Sequence, residues 1–528
     1  MKKLLKGSTA VNLIAIVCIA VMTNFIGFSQ SNTYSIVGTG QTLSYDSLSA
    51  ITMPASGQAF FGQNSNHPGN TRSYTNNGNG TVTDNLTGLM WVQTEDRTGD
   101  GIINFYDKLT YYEAMDSAAT CTTGGYNDWR LPTIKELYSL AMFYGYEPGP
   151  GQSTCGKFID ETYFSVGYGD VNSRLHGSLG TERIIDGQIA SSTKYVSMTF
   201  GGQETFFGFN FIDGRIKGYP TTYIVPECGT AKHFYVLYVR GNTAYGTNQF
   251  VNNGNGTITD NATGLMWMQN DNGTGLTWED ALSYAENLTY AGYSDWRLPD
   301  TKELQSIVDY TRSPATTNSA AINPVFNCTQ ITNEGGAADY PWYWSNTTFS
   351  SASTAKGASA TYVCFGRAMG YFSGLGWTDI HGAGCQRSDP KPGSFAGYTH
   401  NGNGYYNPNA PQGDGVRIYN YVRPVRSAFT TDVNNQGSDF PDSHMLFQNY
   451  PNPFNPVTSI IYNIPQNSFV NLIVYDLLGN EIETLVRENK AAGSYRADWN
   501  ASNYPSGVYL CRIQAEDYVK NIKMILIK

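Results

Sequence analysis

The 528-residue chain is predicted to have an α+β fold, with two related modules followed by a small all-β sandwich. The main observation is a duplication, because residues 76–91 and 252–267 differ at only two of sixteen positions. Within each copy, helix-start patterns occur together with short strands and long loops, which is typical of α+β modules. The C-terminal stretch contains alternating strands separated by turns, which predicts a separate β-sandwich.

The first residues have the pattern of a secretory signal peptide. Lys2, Lys3 and Lys6 precede an apolar run over residues 11–21, and small and polar residues follow it. The run is too short for a typical membrane span, so we expect a signal peptide over residues 1–29. No later segment has a long uncharged apolar run, so the mature chain is expected to have no transmembrane segment.

Composition limits the possible partners. The chain is acidic, with a formal net charge of −10 and a pI of about 5.1. Nucleic acids and anionic membranes attract proteins rich in Lys and Arg, so no nucleic-acid partner is expected. Aromatic residues make up 14% of the chain, which supplies enough apolar material for packed cores.

The duplication covers a whole module. Both copies contain DWRLP followed two residues later by KEL, at residues 128–137 and 295–304. Further landmarks pair residues 189–193 with 343–347, residues 195–201 with 362–366, and the Tyr-Val-Arg at 238–240 with that at 421–423. Solenoid repeats would recur every ~20–50 residues, so this spacing indicates modules at residues 30–241, including a lead-in, and 242–427.

Each module is expected to begin with turns and strands and to continue with helices. The Asn- and Gly-rich turn before each TGLMW segment predicts a tight turn that leads into a strand. Thr277 begins a helix in the second copy, and capping boxes pair Thr133 with Glu136 and Asp300 with Glu303. We expect structural pairs for Arg130 and Arg297, and core or near-core packing for Trp91, Trp129, Trp267 and Trp296.

These segments resemble a known bacterial family. The motifs NGNGTVTDNLTGLMW, DWRLPTIKEL and YWSNT are similar to those of the Lcl C-terminal domain, which is found on a collagen-like surface adhesin. The lead-in residues 39–41 and 57–63 also resemble the start of such domains. The resemblance implies a C-type-lectin-like fold, related to the core of formylglycine-generating enzymes, and binding of sulfated or other polysaccharides. Because sulfated glycans require a basic surface, the acidic composition leaves the ligand class open.

Aromatic loops in the second copy are candidates for contact with a polysaccharide or surface glycan. Tyr343 and Trp344 lie in one such loop, and Tyr371 and Trp377 lie in another. Aromatic faces can stack on sugar rings, although ordinary hydrophobic packing explains such residues equally well.

One segment of the first copy has the spacing of a twelve-residue calcium loop. In DRTGDGIINFYD the six ligand positions fall on Asp96, Thr98, Asp100, Ile102, Asn104 and Asp107, with a glycine at the sixth position. This predicts a Ca²⁺ site in the first module, because the second copy is shortened and lacks the carboxylate at the fifth position. The alternative is a polar turn in which Asn104 caps the following helix.

No catalytic arrangement is visible, so the protein is not expected to be an enzyme. The six His residues have no metal or triad spacing, and no His-Glu-x-x-His occurs. The formylglycine-generating enzymes that the family resembles use a close pair of cysteines. Here Cys364 and Cys385 are far apart in sequence, and the first copy has no matching pair. Seven cysteines follow the leader, so at least one thiol stays unpaired, and the pairing cannot be deduced from sequence.

The C-terminal segment contains several distinctive motifs. After a polar linker at residues 428–444, residues 445–528 contain NYPNPFNP, YDLLGNE and SGVY. These motifs resemble the type A sorting domain of the type IX secretion system. The resemblance implies contact with that secretion machinery, passage across the outer membrane of a Gram-negative bacterium, and removal of the domain with release or surface attachment.

We therefore expect a secreted or cell-surface binding protein, carbohydrate-binding or adhesive through two lectin-like modules. One alternative is a structural surface or matrix protein whose modules bind other proteins. A second alternative is an enzyme of the formylglycine-generating type.

Overall fold

The structure is a computed structural model that describes residues 33–172, 182–222, 224–225, 230–352, 354–410, 412–428, 444–447, 449, 452, 454–491 and 493–528. The predicted signal peptide and residues 429–443 of the predicted linker lie outside these ranges. The chain divides into two compact units, one with Ser31–Gln436 and the other with Gly437–Lys528. Both predicted modules therefore lie in one compact unit. In the described ranges, no helix has the length and apolar character needed to span a membrane.

The unit with both modules consists mainly of short antiparallel strands. In the lead-in and first copy the strands are β1 (Ser44–Tyr45), β2 (Ala50–Ile51), β3 (Tyr74–Asn76), β4 (Thr81–Asp84), β5 (Leu89–Val92), β6 (Gln188–Thr199), β7 (Gln203–Asn210), β8 (Arg215–Pro220), β9 (Ile224–Val225), β10 (Thr230–Ala231) and β11 (Val239–Gly241). In the second copy they are β12 (Phe250–Asn252), β13 (Thr257–Asp260), β14 (Leu265–Met268), β15 (Ile331–Thr332), β16 (Ala338–Asp339), β17 (Trp342–Phe349), β18 (Ser359–Cys364), β19 (Met369–Phe372), β20 (Gly376–Asp379), β21 (Gln386–Pro390), β22 (Thr399–Asn401), β23 (Gly404–Tyr406), β24 (Gly415–Val416) and β25 (Val425–Ser427).

The helices are short. They are α1 (Tyr111–Ser117), α2 (Ile134–Ser139), α3 (Trp278–Glu286) and α4 (Thr301–Ser306), with 3-10 turns at Phe105–Asp107, Ala118–Thr120 and Thr123–Gly125. Since none of these helices exceeds nine residues, the described chain is largely β rather than an even mixture of helix and strand.

The predicted helix starts are confirmed. Thr133 and Asp300 are the N-caps of α2 and α4, and each forms a capping box with the glutamate three residues later. Both glutamates also receive two hydrogen bonds from an arginine, at 2.6 and 2.5 Å from Arg130 and at 2.6 Å twice from Arg297. The four tryptophans of the shared segments are at most 4% exposed, so their packing in the core is also confirmed.

The two copies build matching four-stranded sheets, ordered β11-β5-β4-β3 and β12-β13-β14-β25. Val239 lies opposite Trp91 in the first sheet, and Val425 lies opposite Trp267 in the second. Arg240 therefore corresponds to Arg426, and the proposed match with the Tyr-Val-Arg at residues 421–423 was wrong by three positions. The sequence YVRPVR offers two arginines, and only the strand register identifies the equivalent one.

A second landmark match was also wrong. Residues 195–199 belong to β6, whereas residues 362–364 belong to β18, which follows β17 in the second copy. The strand β6 corresponds to β17 but has twelve residues instead of eight. Residues 195–199 therefore extend β6, whereas the corresponding part of the second copy lies beyond the end of β17.

The two copies share one six-stranded sheet, ordered β17-β18-β21-β8-β7-β6. Three strands come from each copy. The order is symmetric: β8 and β21 meet at the centre, β7 and β18 flank them, and β6 and β17 lie at the two edges. The junction is the pairing of Gln386 in β21 with Ile216 in β8. Next to it a Cβ atom on Gly218 would lie 2.5 Å from the carbonyl oxygen of His381, so glycine permits this close approach.

Helices α2 and α4 also join the copies, through a reciprocal pair of lysines. Lys135 donates to the carbonyl oxygen of Ser306 at 2.6 Å, and Lys302 donates to that of Ser139 at 2.7 Å. The two lysines occupy the same position of the KEL sequence. Each therefore binds the C-terminal end of the other copy's helix, where cations are favoured.

The lead-in packs against both copies: the amide of Phe143 in the first copy donates to the carbonyl oxygen of Thr39 at 2.7 Å, and several contacts reach the second copy. The side chain of Gln41 bonds the backbone of Thr348 through both its oxygen and its nitrogen, at 3.0 and 2.9 Å. His67 contacts Glu286 of α3 at 2.6 Å, and the ring of Phe60 lies 6.4 Å from that of Trp278. The lead-in thus connects the two copies.

The second unit is a small all-β domain. Its strands are β26 (Met445–Leu446), β27 (Val457–Ile464), β28 (Ser468–Tyr475), β29 (Glu481–Lys490), β30 (Gly493–Asn500), β31 (Gly507–Ala515) and β32 (Tyr518–Leu526). They form two antiparallel sheets, ordered β26-β27-β30 and β29-β28-β31-β32. Buried side chains of both sheets, including Ile460, Leu472 and Trp499, make one core. The predicted C-terminal β-sandwich has this arrangement.

Candidate ligand-binding cleft

A cleft of about 1000 Å³ lies where the two copies meet. Its walls come from β8 and the segments around it in the first copy, and from residues 372–414 in the second. Its charged lining residues are Arg183, Arg215, Lys217, Lys232, Arg387, Glu147, Asp213 and Asp414. Cationic side chains therefore outnumber carboxylates in the cleft, although the chain as a whole is acidic.

Ion pairs fix the cationic side chains in place. Arg215 binds both carboxylate oxygens of Glu147, and its guanidinium lies 4.5 Å from the ring centroid of Phe349. Lys217 is paired with Asp213, which lies at the turn before β8. Paired and packed in this way, the cations hold fixed positions before any ligand arrives.

His381, Arg387 and Asp414 form a buried cluster in the cleft. The Nε2 atom of His381 lies 3.0 Å from both Arg387 and Asp414, so it accepts from one or donates to the other. Arg387 also donates to Asp414 directly. Burial and the neighbouring Arg387 lower the pKa of His381 to about 4, so the ring is neutral at pH 7. Although burial alone would raise the pKa of Asp414, Arg387 and His381 hold it well below the usual range.

Several buried polar atoms of the cleft have no hydrogen-bond partner among the described residues. They are Nδ1 of His381, Oδ1 of Asp213, Oε1 of Gln188 and the hydroxyl of Tyr219. Leaving a buried polar group unpaired costs about 1–3 kcal/mol, so such atoms usually bond water or a ligand. The cleft therefore offers both donors and acceptors to a polar ligand.

An aromatic hairpin forms one rim of the cleft. Strands β19 and β20 pair, and Phe372 and Leu375 at their turn line the cleft and are 38% and 50% exposed. In the same hairpin Tyr371 and Trp377 are partly exposed, with ring centroids 5.7 Å apart. Neither of these two predicted ligand residues lines the cleft, because strand alternation places them on the other face of the hairpin from Phe372, where both rings contact Tyr406.

The other two predicted ligand residues are not accessible. Tyr343 and Trp344 are fully buried in β17, which contradicts the expectation of exposed aromatic faces. The hydroxyl of Tyr343 donates to Asp271 at 2.5 Å, and Nε1 of Trp344 donates to the carbonyl oxygen of Leu276 at 2.9 Å. Every residue of β17 is buried, because both faces of this strand are covered.

The predicted calcium loop is closed by its own backbone amides. Asp107 is fully buried, and its carboxylate accepts from the amides of Arg97, Thr98 and Asn104, each at 2.9 Å. Asp96 likewise accepts from the amides of Gly99 and Gly101 at 2.7 and 2.8 Å. In the described part of the chain, no group of three or more His, Cys, Asp or Glu side chains is placed to hold a metal ion.

Two further loop positions, Asn104 and Asp100, fit the alternative interpretation, in which the loop is a polar turn capped by Asn104. Asn104 accepts from the amide of Tyr106 at 2.8 Å and starts the 3-10 turn. Asp100 is exposed and bonds only the amide of Ile102 at 2.8 Å among the hydrogen bonds of the described residues. Calcium binding stays a prediction, and it would require these carboxylates to turn from the amides toward an ion.

The sequence did not reveal the basic residues of the cleft. Arg215 and Lys217 alternate in β8, and Arg387 lies in β21, but none of them falls in a shared motif. The available pattern was the alternation of cations in GRIKGY, which places Arg215 and Lys217 on one face of a strand. Their convergence with Arg387 depends on the junction between copies, which no single copy encodes.

Comparison with known proteins agrees with the duplicated organisation. The model of the Lcl C-terminal domain family matches residues 80–240 and 256–375, and that of the secretion system C-terminal sorting domain matches residues 448–528. No curated protein matches the chain.

One solved structure with some similarity is PorZ, an essential bacterial surface component of the type-IX secretion system of Porphyromonas gingivalis. It is 13% identical, and the match covers 66% of this chain and 48% of that one, so this chain spans about half its length. The TM-score is 0.13, which supports no statement about fold or function.

The C-terminal match establishes delivery. A sorting domain of this kind directs export by the type IX secretion system to the cell surface or the medium. The two matches to the first family together span more than half of the chain, and the protein therefore belongs to the Lcl C-terminal domain family.

Proposed function

We propose that the protein is a carbohydrate-binding or adhesive surface protein and that it holds a polysaccharide in the cleft between its two copies. The observation that carries the proposal is the set of unpaired buried polar atoms in a large cleft with an aromatic rim. The family resemblance implies the same kind of ligand and a C-type-lectin-like fold.

The chemistry of the cleft suits a sugar chain. Hydroxyl groups both donate and accept, so they match the unpaired atoms of His381, Asp213 and Tyr219. The apolar face of a sugar ring can stack on the exposed ring of Phe372, which lines the cleft. A volume of about 1000 Å³ is at the upper end of ordinary ligand pockets, which favours an oligosaccharide segment over a single sugar.

The charge of the cleft favours an acidic polysaccharide. Five cationic side chains line it against three carboxylates, and Asp186, which does not line the cleft, pairs with Arg183 and Lys232, so an excess of one positive charge remains for an anionic sugar. The acidic composition therefore does not exclude a sulfated or uronic acid-containing ligand, because the positive charge is concentrated where the ligand would bind.

A glycan array with the exported protein tests the proposal. We expect binding to acidic polysaccharides, weakened at least about tenfold by Phe372→Ala and by Lys232→Gln, since each removes one recognition element that lines the cleft. Matched controls are Tyr106→Ala and Lys356→Gln, whose side chains are exposed outside the cleft. Equal affinities of all four variants would overturn the cleft assignment. Absence of any sugar binding together with clear self-association would instead support a structural matrix protein.

A further inference from the structure

Cys364 and Cys385 face each other across neighbouring strands. They are 21 positions apart in sequence, yet their sulfur atoms lie 3.4 Å apart, and both side chains are fully buried. The amide of Cys364 donates to the carbonyl oxygen of Cys385 at 2.9 Å, and the amide of Gly384 donates back to Cys364 at 2.7 Å. The separation of 21 residues did not suggest a close pair, but the pairing of β18 with β21 brings the two cysteines together.

The geometry of the strand pair suits a covalent bond between the sulfurs. Val363 lies opposite Gln386, so Cys364 and Cys385 occupy the next opposed position of β18 and β21. Opposed residues of antiparallel strands have Cα atoms about 4.5–5.5 Å apart, within the range of about 4.4–6.8 Å that disulfides require. Side-chain rotation can therefore bring the sulfurs to bonding distance without moving the backbone.

We propose that Cys364 and Cys385 form a disulfide bond in the exported protein. Both S–H bonds break and one S–S bond forms, which releases two protons and two electrons. The oxidant is a disulfide-bearing thiol oxidoreductase or a small-molecule disulfide of the oxidising compartment, which is reduced to two thiols through a mixed-disulfide intermediate.

The bond would close the segment that carries one wall of the cleft. Residues 365–384 include the aromatic hairpin of β19 and β20 and also His381. Burial raises the pKa of the Cys364 thiol well above its ordinary value, so little reactive thiolate exists in the folded protein. Oxidation must therefore precede the closure of this strand pair, and the finished bond is shielded from reductants.

Other described cysteines lack such a neighbour. Cys121 contacts the hydroxyl of Thr123 at 3.5 Å, and Cys155 contacts the carbonyl oxygen of Ile212 at 3.7 Å. Cys155 is buried and lies in the first copy, which makes it an internal control for both experiments below.

Thiol mapping of the protein collected outside the cell tests the bond directly. The chain is unfolded, alkylated without reductant, digested and analysed by mass spectrometry. We expect one linked pair of peptides that contains Cys364 and Cys385, while Cys155 is alkylated. Alkylation of both Cys364 and Cys385 before reduction would overturn the proposal.

Thermal unfolding provides the second measurement. With reductant present during unfolding, we expect Tm of the original protein to fall by roughly 5 °C, because a bridged loop of this length restricts the unfolded chain. Reductant should not change Tm of the double variant Cys364→Ala/Cys385→Ala. It should lower Tm of Cys155→Ala as much as that of the original protein. A Tm that is unaffected by reductant in both the original protein and Cys155→Ala would contradict the bond.

Discussion

Glu136 and Glu303 show how much a single side chain can organise. Each accepts a hydrogen bond from the amide of its helix N-cap, at 2.9 Å in both copies, and also binds the arginine three residues before that N-cap. The capping role follows from spacing alone, since an N-cap and a glutamate three residues later form a recognisable local motif. The sequence predicted a structural pair for each arginine, but only the structure shows that the glutamate is the partner.

His381 makes the stability of the protein depend on acid. Its pKa is about 4 in the folded protein and near 6.5 in an unfolded chain, so the unfolded chain binds more protons between these values. The free energy of unfolding should therefore fall as the pH drops below about 6.5, by about 1 kcal/mol per pH unit from this residue. Above pH 7 both states are neutral here, and the contribution is constant.

The variant His381→Gln isolates this effect. It keeps a donor and an acceptor beside Arg387 and Asp414 but cannot take up the proton. Urea unfolding at several pH values should show a smaller loss of stability on acidification than in the original protein. The same acid dependence in both proteins would show that His381 is not the group that titrates.

Calcium binding is tested at Asp100. If the loop over residues 96–107 binds an ion, calcium should raise Tm of the unit with both copies, because binding to the folded form alone stabilises it. Asp100→Ala should abolish the rise, since it removes an exposed carboxylate. Thr274→Ala in the shortened loop of the second copy is the matched control and should keep the rise. An unchanged midpoint in millimolar calcium would leave the loop as a capped turn.

At the scale of elements, the KEL helices connect the copies. Lys302 is 3% exposed and donates to the carbonyl oxygens of Ser139 and Ala141 at 2.7 and 2.8 Å. We expect Lys302→Met to lower the free energy of unfolding by about 3 kcal/mol, because both buried acceptors lose their hydrogen-bond donor. Lys135→Met should have an effect in the same direction, through the matching contact.

The control for these variants is Lys356→Met, at an exposed position, which should change stability by less than about 0.5 kcal/mol. Denaturant unfolding of all three variants measures the difference. If Lys302→Met were as stable as the control, the lysine contacts between helices would not stabilise the junction.

The sequence predicted some elements well and others poorly, for a physical reason. Helix starts and the turn-strand entry depend on near neighbours in the chain, so Thr133, Asp300 and the NNGNG turns were identified correctly. Strand partners depend on distant residues, so the match at residues 421–423 was wrong. The burial of Trp344 also depends on residues far away in the sequence, because helices and strands from other segments cover both faces of β17.

At the scale of the whole molecule, the two copies form one folded unit. The first copy alone would expose the edge of β8, lose the lysine from α4 and leave its lead-in without the surface that Gln41 binds. We therefore expect residues 30–241 expressed alone to show no cooperative thermal transition. Residues 30–428 should melt in one transition, and this fragment is the control. A cooperative melt of the shorter fragment at the same midpoint would show that each copy folds independently.

Delivery depends on the other unit. Deletion of residues 446–528 removes the matched sorting domain, so the protein should accumulate in the periplasm with its two copies folded. Immunoblots of periplasm and medium measure the distribution. Equal amounts of truncated and full-length protein outside the cell would contradict the role of this domain in export.

The continuous sheet across both copies has a consequence for a protein that leaves the cell. Two separate subunits joined by the same contacts would part on dilution, since their association would depend on concentration. Here a covalent chain connects the halves, so their local concentration stays in the millimolar range however dilute the protein becomes. The junction at Gln386 and Ile216 can therefore persist in open medium, where a dimer of moderate affinity would dissociate.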